Sequence, residues 1–141
     1  MSMTSNSIRT NRLAELELFA GADREELELV GARCVEVDVP KGREILREGE
    51  QAREFVVVLD GYAVVTAEGR EIAYLGAGSC FGEMALIDGS PRSATVRAKT
   101  DCEVVPIREK TFLFLVHETP YFAIAVMRTL ADRLRRSSER T

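Results

Sequence analysis

Between Cys34 and Ile107 the sequence is cut into about eight short apolar stretches, each ended by a turn signal, and this punctuation constrains the fold most. Cys34-Val35-Glu36-Val37-Asp38-Val39 alternates as a half-buried strand does, and Pro40-Lys41-Gly42 turns the chain. Ile45-Leu46 leads to Gly49, and the run 55–59 closes on Asp60-Gly61, a strong hairpin signal. Residues 62–67 end at Glu68-Gly69, and 72–75 end at Gly76-Ala77-Gly78. After an irregular segment, 94–96 and 103–107 complete the series. Short strands at this spacing describe a sandwich, a jelly roll or a small barrel.

Helices flank this β region. Residues 1–8 read as a disordered tail, followed by a weak helical pattern from Ile8 to Phe19 through Leu13, Leu16 and Phe19. Asp23 with Glu26 three residues on is a capping box for a second helix containing Leu27 and Val30. A short helix is expected over 109–116. Thr119-Pro120 then supplies an N-cap and a first-position proline for a last helix running to about Ser137. The first half of that helix, 121–127, is apolar on every face and needs cover on more than one side. Packing wholly on the β-core is the preferred reading, and homodimer pairing across a two-fold axis is the alternative.

The chain has 141 residues, of which 45% are apolar and 30% charged, with a net charge of −4: room for one domain with a real core. Mild acidity argues against a general nucleic-acid binder, though not against a local anion pocket. The N-terminus lacks the apolar core of a signal peptide, and no apolar run approaches a membrane span. Cys34, Cys80 and Cys102 are odd in number and widely spaced, which disfavours a disulfide framework or a zinc site and points to a cytoplasmic protein with buried thiols. His117 is the only histidine and reads as a helix-terminal residue beside a C-terminal dipole. A cupin-like metal enzyme needs several histidines, so no metal site and no enzyme activity are expected.

The distinctive chemistry lies between Gly76 and Val96. Glycines at 76, 78 and 82 miss the dinucleotide fingerprint by one residue, and no P-loop is present. Gly82 allows close backbone approach, and Glu83-Met84-Ala85-Leu86-Ile87 can form one helical turn whose N-terminal N–H groups face an anion. Across Asp88-Gly89-Ser90-Pro91, Arg92 and Ser93 return to the same place with a donor fork and a hydroxyl. Glu83 beside them suits a sugar hydroxyl. Together these groups suit a small, singly charged sugar phosphate.

Phe81-Gly82-Glu83-Met84-Ala85-Leu86 followed by Pro91-Arg92-Ser93-Ala94 resembles the phosphate-binding cassette of cyclic nucleotide-binding domains. Ile45, Gly49-Glu50 and the strand and turn at 55–61 resemble the family's upstream strands. The resemblance implies an α+β, mainly β fold: an eight-stranded β-jelly roll, or double-stranded β-helix, flanked by N-terminal helices and a long C-terminal lid helix. It places the domain at 9–134, with leading helices over 9–32, the β-roll over 33–108, helices over 109–137 and a tail at 138–141. It implies that Arg92 pairs with the cyclic phosphate and that Glu83 accepts the ribose 2′-hydroxyl. Gly82, Ala85 and Ser93 would complete the phosphate and ribose cradle. A lid contact to the base is expected from Arg133, with Leu130 and Leu134 packing nearby and Arg136 as the alternative.

The resemblance also implies a non-catalytic sensor with no cofactor, whose ligand is cAMP or cGMP and whose last helix moves on binding. In some relatives Thr beside the cassette arginine accompanies cGMP preference and Ala accompanies cAMP preference. Ser93 departs from both, and cAMP is favoured. The partners expected are the cyclic nucleotide and an effector protein that the residues do not identify, with no membrane and no direct nucleic-acid contact. Two alternatives stand beside this reading. A catabolite-activator-type transcription regulator would continue into a helix-turn-helix after the last helix, whereas this sequence stops at Thr141; a channel or modular enzyme would carry the domain as a regulatory piece.

Overall fold

The computed structural model describes residues 5–16, 19, 22–51, 54–82 and 89–139; for 5–9, 122, 126, 129, 130, 133, 134 and 136–139 it describes the helical backbone alone. The chain forms two compact units, Cys34–Lys110 and the combination of Met1–Arg33 with Thr111–Thr141.

The unit Cys34–Lys110 holds eight strands: β1 (Val37–Val39), β2 (Glu44–Leu46), β3 (Glu54–Asp60), β4 (Ala63–Ala67), β5 (Arg70–Leu75), β6 (Cys80–Phe81), β7 (Thr95–Ala98) and β8 (Cys102–Arg108). They form two four-stranded antiparallel sheets in the orders β1-β8-β3-β6 and β2-β7-β4-β5. This is the expected mainly β jelly roll. Its core draws on both sheets, with Val56, Val58, Phe81 and Val104 from the first and Leu46, Ala63, Val96 and Ala98 from the second. Each large aliphatic side chain so buried contributes about 1.5–3 kcal/mol. On β3 the alternate residues Phe55 and Val57 are buried as well, so this strand reads as an unbroken apolar run rather than an alternating one.

Asp60-Gly61 is not a hairpin. β3 and β4 lie in different sheets, and the turn between them is a corner. Gly61 takes φ +92°, and a Cβ there would collide with the carbonyl oxygen of Asp101 and stand 2.9 Å from Cys102 Sγ. The corner is fastened to the β7–β8 connection. The Tyr62 carbonyl accepts hydrogen bonds from Lys99 N–H at 2.8 Å and Cys102 Sγ at 3.1 Å, while Tyr62 N–H donates to Thr100 Oγ1 at 3.0 Å. Glu68-Gly69, by contrast, does join two paired strands, β4 and β5, with φ of 52° and 78° as a primed two-residue turn requires.

The helical unit contains α1 (Ser5–Ala14), α2 (Arg24–Arg33), α3 (Glu109–Glu118) and α4 (Pro120–Glu139). The first two residues of α3, Glu109 and Lys110, belong to the β unit. Helix α1 begins at Ser5, so the second half of the expected disordered tail 1–8 is helical; Ser5, Asn6 and Ser7 carry no proline or glycine to stop it. Residues 1–4 lie outside the described residues. The capping box forms as read: Glu26 N–H donates to Asp23 Oδ1 at 2.8 Å, and Asp23 N–H donates to Glu26 Oε1 at 3.2 Å. Leu13, Leu16, Phe19, Leu27 and Val30 are buried. The Arg33 guanidinium sits 4.1 Å from the Phe114 ring centroid, a cation–π contact. Thr119 is buried ahead of Pro120, the first residue of α4. Segment 121–127 is not wholly covered, because Tyr121, Ile124 and Met127 are 61%, 40% and 59% exposed along one stripe. No helix among the described residues is long and apolar enough to cross a membrane. None of the three cysteines forms a disulfide, and all are buried.

The two turn glycines provide a test. At Gly69 an added Cβ meets open space, so Gly69→Ala costs only the left-handed backbone penalty, about 1–2 kcal/mol. Gly61→Ala carries that penalty plus a collision with backbone, and is expected to lower the urea midpoint clearly further. Equal midpoints for the two variants would contradict the corner geometry.

Candidate functional site

The site is built where the two ends of the segment Gly76–Val96 meet neighbouring strands. β6 pairs with β3 through Val56↔Phe81 and Val57↔Cys80, which brings the next residue, Gly82, beside the start of β3. Residues 83–88 lie outside the described residues, and with them Glu83 and Ala85. The chain is described again from Gly89, with φ +71°, and runs through Pro91 into Arg92.

Backbone bonds fix Arg92 first. Its N–H donates to the Glu50 carbonyl at 3.0 Å, and its own carbonyl accepts from Gly49 N–H at 2.8 Å. The turn that supplies these partners is braced by exposed charges. Arg47 Nε stands 2.8 Å from Glu44 Oε2 and 3.8 Å from Glu50 Oε1, while Arg97 Nη2 lies 3.0 Å from Glu44 Oε1. The arginines hold the Glu44 carboxyl below its ordinary value, chiefly through the Arg47 hydrogen bond.

The Arg92 side chain then turns inward and is only 5% exposed. Nη1 donates to the Gly82 carbonyl at 2.9 Å and Nη2 to the Glu54 carbonyl at 2.5 Å. Nε is buried and has no hydrogen-bond partner among the described residues. Among the described residues Arg92 makes no ion pair, although other arginines of the chain do. Burial lowers the proton affinity of the guanidinium, and the Glu54 and Glu50 carboxylates partly oppose that shift. Among the described residues the buried cation is held by neutral carbonyls, which offset its desolvation less well than a paired anion would. Of its five N–H donors, two have partners among the described residues. Such an arrangement can receive an anion with several acceptor oxygens, and a phosphate has the geometry of the guanidinium fork.

Gly82 is part of this construction. It takes φ +88°, and a Cβ on it would lie 2.5 Å from Arg92 Nη1 and 3.2 Å from the Glu54 carbonyl oxygen. The residue therefore has two independent reasons to be glycine: a left-handed backbone and a guanidinium in the space a side chain would fill.

Of the residues singled out from sequence, the structure brings Gly82 and Arg92 together. Ser93 follows Arg92 and is exposed. Leu130, Arg133, Leu134 and Arg136 fall on α4, with their side chains outside the described residues. His117 lies exposed in the last turn of α3, with Nδ1 3.2 Å from Glu118 Oε1. Sequence reasoning missed the positioning role of Glu54, which acts here through its backbone carbonyl, an acceptor that no residue identity advertises.

Residues 36–119 match the cyclic nucleotide-binding domain family. A cyclic nucleotide-gated potassium channel of Rhizobium etli is 37% identical over 95 residues, covering 67% of this chain and 26% of the channel. The cAMP-activated global transcriptional regulator CRP of Haemophilus influenzae is 32% identical over 142 aligned residues, covering 92% of this chain and 63% of the regulator. Cyclic AMP-bound PfPKA-R superposes with a TM-score of 0.85 at 27% identity, over 96% of this chain and 47% of that one. The chain thus spans less than two thirds of each.

Gly82→Ala is expected to lower stability by about 1–2 kcal/mol from the backbone alone, and to push the guanidinium off the two carbonyls. Chemical denaturation measures the first effect. A Gly82→Ala variant as stable as the wild type would contradict the packing described.

Proposed function

Because this chain belongs to the cyclic nucleotide-binding domain family, and is a cyclic nucleotide-binding regulatory domain, we propose that it is a non-catalytic sensor of cAMP, in preference to cGMP. The observation that carries the proposal is the buried Arg92 guanidinium, with Nε unpartnered, beside a glycine that leaves it room. In this reading Arg92 takes the cyclic phosphate, and Ser93, Ala85 and Gly82 complete the cradle. Glu83 takes the ribose 2′-hydroxyl. Arg133, flanked by Leu130 and Leu134 at helical spacing, caps the base, with Arg136 as the alternative. Movement of α4 on ligand binding transmits the signal, which requires the ligand to favour one arrangement of that helix over another. Buried cysteines without disulfides support a cytoplasmic setting.

The similarity to a transcription regulator over most of the chain supports a second reading, a catabolite-activator-type regulator. A channel or modular-enzyme regulatory domain is the corresponding reading on the channel side. The two differ in output, not in the ligand site.

A cyclic mononucleotide has about 22 non-hydrogen atoms, and at about 0.3 kcal/mol per atom it gains about 7 kcal/mol, or low-micromolar affinity. Calorimetry with cAMP is expected to show binding in that range, with cGMP weaker. Arg92→Ala leaves the phosphate without its charge partner, at about 3–5 kcal/mol, a loss of about a hundredfold or more. No heat at millimolar cAMP, or an Arg92→Ala variant that binds within about threefold of wild type, would overturn the assignment.

A further inference from the structure

Strands β2 and β7 are paired as far as Leu46↔Val96. Past that point the β2 side folds into the turn 47–50, closed by Glu50 N–H on the Arg47 carbonyl at 3.2 Å. Gly49 stands third in it at φ +87°, as a type II turn requires. On the β7 side lie Arg92, Ser93, Ala94 and Thr95, the first residue of that strand. Two main-chain bonds join the sides at Arg92, from Gly49 N–H at 2.8 Å and to the Glu50 carbonyl at 3.0 Å. Between the ladder and these bonds the join is made by a side chain: Glu48 N–H donates to Thr95 Oγ1 at 3.0 Å. Thr95 is half-buried, and its backbone is held opposite Thr66 of β4, so the sheet fixes where its β-carbon stands. Branching at that carbon restricts the rotamer of the hydroxyl. Glu48 N–H is the donor immediately before Gly49 N–H along the turn, so a bond that seats the first sets the reach of the second.

We propose that Thr95 is a positioning residue for the anion site. Its hydroxyl seats the turn 47–50 against residues 92–95, and so sets the backbone of Arg92 from which the guanidinium reaches the phosphate. The inference rests on the cyclic nucleotide reading above and adds a residue outside the groups assigned to the ligand. Thr95 acts through Arg92 and not on the ligand. The guanidinium is itself aimed by two carbonyls, those of Gly82 and Glu54, so a shift of the Arg92 backbone moves one end of a side chain whose other end is held. Such a shift misplaces the fork relative to the cradle without unpacking the core. Glu48 is exposed, so water can take over its N–H when the hydroxyl is removed. The loss therefore falls on the position of the turn more than on the stability of the fold.

The test is cAMP titration of the full chain by calorimetry, using wild type, Thr95→Val and Thr95→Ser, beside amide hydrogen exchange read by NMR. Valine keeps the branched shape and strand preference and lacks the oxygen, whereas serine keeps the oxygen and lacks the methyl. Thr95→Ala provides a second hydroxyl deletion should the valine methyl crowd the turn. The deletions are expected to bind cAMP about three- to tenfold more weakly, the equivalent of one hydrogen bond. Thr95→Ser should stay within about twofold of wild type. Without ligand, the Gly49 and Arg92 amides of the deletions should exchange faster, while those of the β3–β8 ladder keep their wild-type rates. Faster exchange in both places would mean a general loss of stability and would overturn the positioning role. Deletions that bind like wild type, or a serine variant as weak as the valine one, also overturn it and leave the function standing. No cAMP binding by wild type overturns the function, and the positioning role with it.

Discussion

The Arg92 guanidinium lies buried in the β unit and, among the described residues, has two of its five N–H groups on neutral carbonyls and its Nε on nothing. A protein has little reason to bury a cation in that condition for stability alone, since an apolar side chain of similar volume would avoid the desolvation cost. The surroundings are arranged to keep it there. Gly82 yields the space its Cβ would take, β3 presents the Glu54 carbonyl, and the turn at Gly49-Glu50 grips the arginine's backbone from both sides. Three separate stretches of sequence converge on one residue, two on its side chain and one on its backbone, and the jelly roll is what brings them together.

The two sheets serve this convergence in different ways. β6 is only two residues long, yet its pairing with β3 delivers Gly82 to the start of that strand. Arg92 stands just ahead of β7, in the opposite sheet, so its side chain bridges from one sheet's leading edge to the other's. The corner at Gly61 and Tyr62 fixes how β3 passes into β4, and its bonds to Lys99, Thr100 and Cys102 bind the β7–β8 connection to the same frame. Charge outside the site, in the Glu44, Arg47 and Arg97 group, is exposed and worth little as stability.

Much of this was legible in the sequence, and the boundary follows the range of the interactions. The Asp23 and Glu26 capping box and the Thr119-Pro120 start of α4 were readable because each is closed within four residues. Strand number was readable from turn chemistry. Strand pairing was not: Asp60-Gly61 announces positive φ and a change of direction, but whether the next strand pairs or crosses depends on residues about forty positions later. Segment 121–127 looked as if it required cover all round, yet Tyr121, Ile124 and Met127 remain exposed, since hydropathy alone does not say which faces find a neighbour. Arg92 and Gly82 were identifiable because side-chain chemistry and the lack of a side chain are written in the sequence. The Glu54 carbonyl was not, because every residue has one.

The central claim is that the unpartnered Nε–H of buried Arg92 waits for a phosphate oxygen, and nitrogen-edited NMR of the arginine Nε–H groups addresses it directly. With the resonance assigned by its loss in Arg92→Lys, saturating cAMP is expected to move the Arg92 Hε signal downfield and slow its exchange with water, while adenosine, which lacks the phosphate, leaves it in place. An Arg92 Hε signal unchanged by cAMP that calorimetry shows to be bound would contradict the account.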